Sequence, residues 1–362
     1  MESSGGDGAA PEPMATEPSV IGGSSSGGSK TTDGTSADYY FNSYAHFGIH
    51  EEMLKDTVRT KTYMKSIYDN KHLFRDKVVL DVGCGTGILC MFAAKAGAKQ
   101  VIGVDCSDII EQSKKIVAQN VAETGLPDVI TLVKGKMEDV VLPVEQVDII
   151  ISEWMGYFLF YESMLDTVLV ARDKYLAPGG LVFPDKATLY ISAIEDGDYK
   201  AEKMDWWDDV YGFKMSALKE LAYVEPIVDV VDPRQVVTDA VPILTIDVQT
   251  CTVADLDFTA KFELTSQYND HVHAFLGYFD TVFSHSHRPL VLPTGPEHKS
   301  THWKQTVFYL RDPITCKEGE KISGELRCSP NKDNHRDLDI DIAVNFDGVH
   351  TKMDVKHEYK LR

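Results

Sequence analysis

Between Lys77 and Phe183, short apolar runs alternate with stretches whose apolar residues recur at helical spacing, the pattern of β-α-β units that build a parallel sheet. The runs predict strands at residues 78–82, 101–105, 130–133 and 147–152, with helices between them, one of them over residues 88–96. Pro178, Gly179 and Gly180 predict a turn after a helix that begins near Tyr161. After Pro184 the period falls to two, most clearly at Leu338, Ile340, Ile342, Val344 and Phe346, so this half is expected to be antiparallel β, a sandwich or barrel. Upstream, an aromatic run (Tyr39, Tyr40, Phe41, Tyr44, Phe47) leads into a helical pattern over residues 51–70.

Four regions follow. Residues 1–36 are mostly Gly, Ser, Ala, Pro and Thr and cannot bury enough surface to offset their ordering entropy, which predicts a disordered tail. Residues 37–75 form an N-terminal helical segment, 76–184 the α/β domain and 185–362 the β domain. Within the last, residues 199–223 read as helical and crowd Trp206, Trp207, Tyr211, Phe213 and Met215 together. Such a cluster suits either a core helix or an arm whose apolar face is buried on a second copy.

Composition narrows the class. At 362 residues with 43% hydrophobic positions, the chain can bury a large core. No run approaches the ~20 apolar residues of a membrane helix, and the N-terminus lacks the basic-then-apolar order of a secretion signal, so a soluble intracellular protein is expected. Six cysteines without a C-x-x-C pair are expected to be free thiols. A formal charge of −20 opposes a phosphate backbone and favours a basic partner; direct nucleic-acid binding is not expected.

Two segments carry chemistry. In Val79-Leu80-Asp81-Val82-Gly83-Cys84-Gly85-Thr86-Gly87 a buried strand runs into a glycine turn and then a helix, where glycines take positive φ and let a ligand approach the backbone. The later glycine of G-x-G-x-x-G is missing, which argues against a dinucleotide. Asp105, at the end of the next strand, suits ribose hydroxyls. The second segment, Ser152-Glu153-Trp154-Met155-Gly156-Tyr157-Phe158-Leu159-Phe160-Tyr161-Glu162, leaves the carboxyl end of a strand, where α/β folds place ligands. Two carboxylates among aromatics are costly to bury unless a cation meets them, and a guanidinium offers five N–H donors that two carboxylates can grip on two edges. Such a grip concentrates positive charge on the nitrogens that do not attack and orients the one that does. Read without that partner, one Glu could cap a helix and the other be a solvated charge.

The glycine loop resembles motif I of class I (Rossmann-like) S-adenosylmethionine-dependent methyltransferases. The S-E-W-M-G-Y…Y-E string resembles the double-glutamate loop of type I protein arginine N-methyltransferases, as do Thr301-His302-Trp303 and the segments 148–153 and 176–184. The resemblance spans residues 39–362. It implies a methyltransferase domain followed by an antiparallel β-barrel domain with a helical dimerisation arm, and S-adenosyl-L-methionine as cofactor. It further implies conversion of protein arginine to monomethyl and asymmetric dimethylarginine, Arg-Gly-rich proteins and histone tails as substrates, a homodimer or higher oligomer, and residence in nucleus and cytoplasm.

Position by position, the resemblance makes Glu153 and Glu162 the catalytic pair, with His302 and Asp56 accepting or relaying the released proton. His50, Arg59, Asp81, Gly83, Gly85, Asp105, Met137 and Glu138 would bind cofactor. Among these, Arg59 would meet the cofactor carboxylate, Asp81 would lie near its amino-acid end and Glu138 would take the adenine. Tyr44, Met53, Met155, Tyr157 and Trp303 would shape the substrate pocket, Trp303 by stacking along the arginine. Two positions depart from the family: Asp105 stands where its close members carry Glu, and Cys84 where the best match has Ser. An insertion over residues 124–128 lengthens a loop away from the site. His271, His273, His285 and His287 lack carboxylate or Cys partners at a persuasive spacing, and no metal site is expected. The absence of Pro-Pro separates the chain from nucleic-acid amine methyltransferases, and retention of Glu153, Glu162 and the glycine loop separates it from a non-catalytic scaffold.

Overall fold

Five parallel strands make the first sheet of the computed structural model, which describes residues 47–362. These are β1 (Val78–Val82), β2 (Gln100–Asp105), β3 (Ile130–Lys134), β4 (Val147–Ser152) and β5 (Leu176–Phe183), in the order β3-β2-β1-β4-β5. The chain winds outward from β1 to β3 and then returns to the other side of β1 at β4. A crevice therefore opens where the winding reverses, above the carboxyl ends of β1 and β4. The register sets Val82 opposite Ser152, so the glycine loop and Glu153 leave the sheet side by side.

The aromatic residues Tyr39, Tyr40, Phe41 and Tyr44 and the tail 1–36 lie outside the described residues. The helical pattern at 51–70 resolves into two helices, α1 (Phe47–Lys55) and α2 (Thr57–Tyr68), broken at Asp56. Asp56 is extended (φ −64°, ψ 94°), and its Oδ1 accepts from the Val58 and Arg59 N–H groups at 3.0 Å, capping α2. A short helix, α3 (Lys71–Phe74), leads to β1, and α4 (Ile88–Lys95), α5 (Ile109–Thr124) and α6 (Met164–Tyr175) connect the strands. The predicted turn at Pro178, Gly179 and Gly180 is absorbed into β5 as an excursion: Val147 pairs with Leu176 but Ile149 with Leu181, and Gly179 sits at φ 77°.

Beyond Pro184 the chain is antiparallel, as expected. One sheet contains β6 (Lys186–Ile194), β7 (Ile227–Asp229), β8 (Val241–Asp247), β10 (Asp270–Phe283), β11 (Leu290–Pro293) and β12 (Gln305–Cys316). The other contains β9 (Phe258–Thr265), β13 (Lys321–Pro330), β14 (Leu338–Asp347) and β15 (Lys352–Leu361). One apolar core runs from Leu80 and Ile150 of the parallel sheet to Phe275, Phe308 and Ile342 of the barrel. Edge-on rings stitch the halves together, Tyr63 on Phe283 at 5.0 Å and Phe158 on Phe308 at 5.1 Å.

The predicted single helix at 199–223 is two, α7 (Gly197–Lys203) and α8 (Ser216–Val224), with a 3-10 turn over Asp205–Asp208 and a reversal at Tyr211-Gly212. Its base is core, with Met204 and Tyr223 buried. Its tip is not: Tyr211 is 92% and Phe213 69% exposed. Trp207 is half-buried, its indole N–H donating to Lys203 O. The six cysteines are free thiols. No helix among the described residues is long and apolar enough to cross a membrane.

Candidate active site

The crevice above β1 and β4 is a cavity of about 480 Å³, within the usual range for a small-molecule site. The glycine loop forms its floor. Gly83, Gly85 and Gly87 all have positive φ (72°, 51° and 80°), and a Cβ on Gly83 would stand 2.7 Å from the Met164 methyl carbon. Asp105 belts this loop from the side: one carboxylate oxygen accepts from the Gly85 N–H at 2.8 Å, the other from the Ser107 N–H and hydroxyl. This carboxylate is thus held by its own surroundings at the cavity wall.

Buried His50 and Arg59 reach the cavity from the two N-terminal helices, His50 against Gly85. Met53, Met137, Glu138 and Met155 line it as well. The Thr167 hydroxyl donates to Glu138 Oε1 at 2.8 Å. Asp81 is elsewhere. It is fully buried behind the loop rather than on the cavity wall, with one oxygen 3.1 Å from the Cys90 thiol and the other without a hydrogen-bond partner. Burial pushes its carboxyl up to about 7.

Both loop glutamates face the same cavity. Glu153 follows β4 directly and meets Arg59, whose Nε donates to Glu153 Oε2 at 2.8 Å; the two side chains are 8% and 7% exposed. The cation expected to meet a cofactor therefore also fixes a carboxylate of the pair. Tyr63, reaching up from α2, donates to Ser152 O at 3.0 Å and braces the same turn. Between the glutamates the loop folds back on itself through Gly156 N–H to Leu159 O at 3.0 Å. Gly156 has no alternative, since a Cβ there would fall 1.9 Å from Tyr161 O. Phe158, Leu159, Glu162 and Ser163 have φ of 49°, 68°, 78° and 54°, conformations costing on the order of 1–3 kcal/mol each for side-chain-bearing residues. The barrel accommodates the loop at Gly277 of β10, where a Cβ would lie 2.3 Å from the Phe158 ring.

His302 and Asp56 are brought together: Asp56 Oδ2 accepts from the His302 backbone N–H and contacts Nδ1, both at 2.9 Å. Burial raises the Asp56 carboxyl, but the His302 side chain and the Arg59 and His302 N–H groups outweigh it, and the net shift is downward. His302 lines the cavity. Trp303 does not: it is 3% exposed, its indole donates to Met155 O at 2.7 Å, and it supports the wall from behind. Stacking along a substrate arginine is not what this placement offers. Tyr157 lies outside the cavity lining and stacks on Tyr161 at 6.2 Å; burial, then Glu52 and Glu162, raise its hydroxyl. Tyr44 lies outside the described residues. His271 and His273 are neighbours along β10, their ring centroids 5.8 Å apart, and among the described residues no group of His, Cys, Asp and Glu could hold a metal ion.

One lining residue carried no local signal in the sequence. Arg336, in the turn between β13 and β14, reaches the cavity and bonds to the backbone of Glu162. A lone arginine in a polar hairpin reads as solvated charge until the fold brings it here.

Comparison with known proteins agrees with this geometry. Residues 79–180 match the family model described as methyltransferase domain, and residues 185–349 the arginine methyltransferase oligomerization subdomain. Protein arginine N-methyltransferase 1 of Chlamydomonas reinhardtii is 54% identical over 349 residues, 96% of this chain and all of that protein. Protein arginine N-methyltransferase 8-B of Danio rerio is 56% identical over 91% of this chain and 77% of its own length. Among solved structures, the Trypanosoma brucei PRMT1 enzyme-prozyme heterotetrameric complex with AdoHcy has a TM-score of 0.85 at 49% identity, covering 89% of this chain and 100% of that one. Arabidopsis thaliana protein arginine methyltransferase 10 has 0.80 at 30% identity, with 89% and 100% covered. This chain belongs to the protein arginine N-methyltransferase family.

Proposed function

We propose that the protein is a type I enzyme that uses S-adenosylmethionine to convert protein arginines to monomethyl and then asymmetric dimethylarginine, with Glu153 and Glu162 clamping the guanidinium. The observation that carries this is the pairing of Val82 with Ser152, which opens a glycine cradle and a two-carboxylate loop into one cavity. The cradle fits the cofactor: backbone without Cβ beneath, Arg59 for a carboxylate, Asp105 for a ribose and Glu138 for an amino-purine. S-Adenosylmethionine supplies a methyl group activated by a sulfonium.

The chain does the rest. Glu153 and Glu162 bind a planar cation on two edges, hold its charge away from the attacking nitrogen and orient that nitrogen. Transfer of a methyl group to nitrogen releases one proton, and the His302–Asp56 pair at the cavity wall is its acceptor. The acidic surface attracts Arg-Gly-rich and histone tails, and the exposed arm tip joins two copies into a homodimer. Residence in both nucleus and cytoplasm suits such substrates.

The test is mass spectrometry of a Gly-Arg-rich peptide and its Arg→Lys counterpart after incubation with cofactor. Mass gained only by the arginine peptide, with fragment ions of the asymmetric isomer, is expected; methylation of the Lys peptide alone rejects the assignment. Glu153→Gln should keep cofactor binding and lose turnover, and undiminished turnover would end the clamp hypothesis.

A further inference from the structure

We propose that Arg336, in the barrel's β13–β14 turn, is a positioning residue that holds Glu162 in its catalytic conformation from across the domain boundary. The inference rests on Glu162 being one jaw of the guanidinium clamp.

Glu162 and Ser163 lie consecutively in left-handed backbone, a conformation that two side-chain-bearing residues keep only when their surroundings dictate it. The surroundings here belong to the barrel. The Glu162 N–H donates to Arg336 O at 2.8 Å, and Arg336 Nη1 donates back to Glu162 O. Ser163 Oγ donates to His335 O at 2.6 Å, and the His335 ring meets Asp166 Oδ2 at 2.7 Å. Both backbone groups of Glu162 are thus bracketed by one residue, and its neighbours are tied to the adjacent one.

The bracket is stiff because the turn is internally bonded. Asn331 Oδ1 accepts from the Asp333 and Asn334 N–H groups, the Asn334 amide donates to Asp337 Oδ1 at 2.8 Å, and the Asn331 amide donates to Asp339. The turn leaves the barrel as a fixed post, and the second carboxylate is set against it. The first carboxylate is held instead from the α1–α2 side by Arg59. The two jaws therefore hang from different parts of the molecule, and their separation depends on the barrel as much as on the sheet.

The test is a double-mutant cycle on single-turnover methyl transfer from radiolabelled cofactor. Glu162→Gln, Arg336→Ala and the double variant are compared with the unaltered protein, and cofactor affinity is measured by calorimetry. Arg336→Ala should slow transfer by about 100-fold, the cost of misplacing a catalytic group by ~1 Å, while cofactor affinity stays within about twofold. The double variant should be no slower than Glu162→Gln alone, because Arg336 acts only through that carboxylate. Arg336→Lys, which restores one donor, should recover part of the rate. Should Arg336→Ala not fold, Ser163→Ala removes a separate tie and should show the same lack of additivity. Additive losses, or a loss explained by weaker cofactor binding, overturn the positioning role and leave the clamp standing. A full rate in Glu162→Gln overturns the clamp itself.

Discussion

Arg59 and Glu153 form an ion pair across 94 positions of sequence, Nε to Oε2 at 2.8 Å, with both side chains more than nine-tenths buried. The pair links the helix that covers the cofactor cradle to the strand end that presents the first carboxylate. Anything that reorients Arg59, a ligand carboxylate included, is felt by Glu153 at once.

Removing Arg59 should therefore cost more than a cofactor contact. Arg59→Ala leaves a buried carboxylate without its cation, and breaking a pair of this kind costs about 3–5 kcal/mol. Urea unfolding should show a loss of that order, whereas the double variant Arg59→Ala/Glu153→Gln should recover part of it. A double variant as unstable as Arg59→Ala would mean that the pair contributes little.

Asp56 serves two masters, and substitution separates them. Asp56→Asn keeps one oxygen to cap α2 but turns an amide donor toward the His302 backbone N–H, so turnover should fall and part of the stability should be lost. Asp56→Ala loses the cap as well, at a cost of about 1 kcal/mol. Because hydrogen bonds hold the Asp56 carboxyl below its ordinary range, its contribution to stability is present above the unfolded value of 3.8 and fades as acid is added below it. Melting curves and initial rates for the two variants check this directly.

Asp81 acts in the opposite sense. Burial raises it from 3.8 to about 7, so the folded protein holds this proton more tightly than the unfolded chain does. The stability tied to the protonated acid is complete below pH 3.8 and is lost as pH rises through about 7. Asp81→Asn cannot ionise, so its stability relative to the parent should improve steadily between pH 5 and about 7.5. A difference that stays constant across that window would show that Asp81 does not titrate there.

The arm tip offers a test of assembly. Tyr211→Asp/Phe213→Asp places charges on surface that is already exposed in the single chain, so folding should survive. Sedimentation should show a shift to monomer at concentrations where the parent is assembled. An unchanged sedimentation coefficient would place the self-contact elsewhere.

Strand β1, strand β4 and the glycine turn were legible because burial on both faces makes a parallel strand a plain apolar run with sharp ends. The loop 152–162 could be placed for the same reason. The break at Asp56 was signalled by an Asp ahead of Thr57, a capping pattern masked by helical periodicity on both sides of it. Trp303 and Asp81 sit beside site residues in sequence but point into the core, and a one-dimensional pattern does not say which side of a loop becomes wall and which becomes backing. Arg336 is the harder case. Its importance comes from a contact 174 residues away, and no spacing rule encodes such a meeting.

Gly277 has a wider bearing. Its missing side chain is the notch that receives Phe158, so one hydrogen atom governs how closely the barrel packs on the loop between Glu153 and Glu162. Enlarging that residue would wedge the two halves apart and carry the loop with them. A larger residue there would thus alter the spacing of the two carboxylates from inside the core, without itself touching the cavity wall.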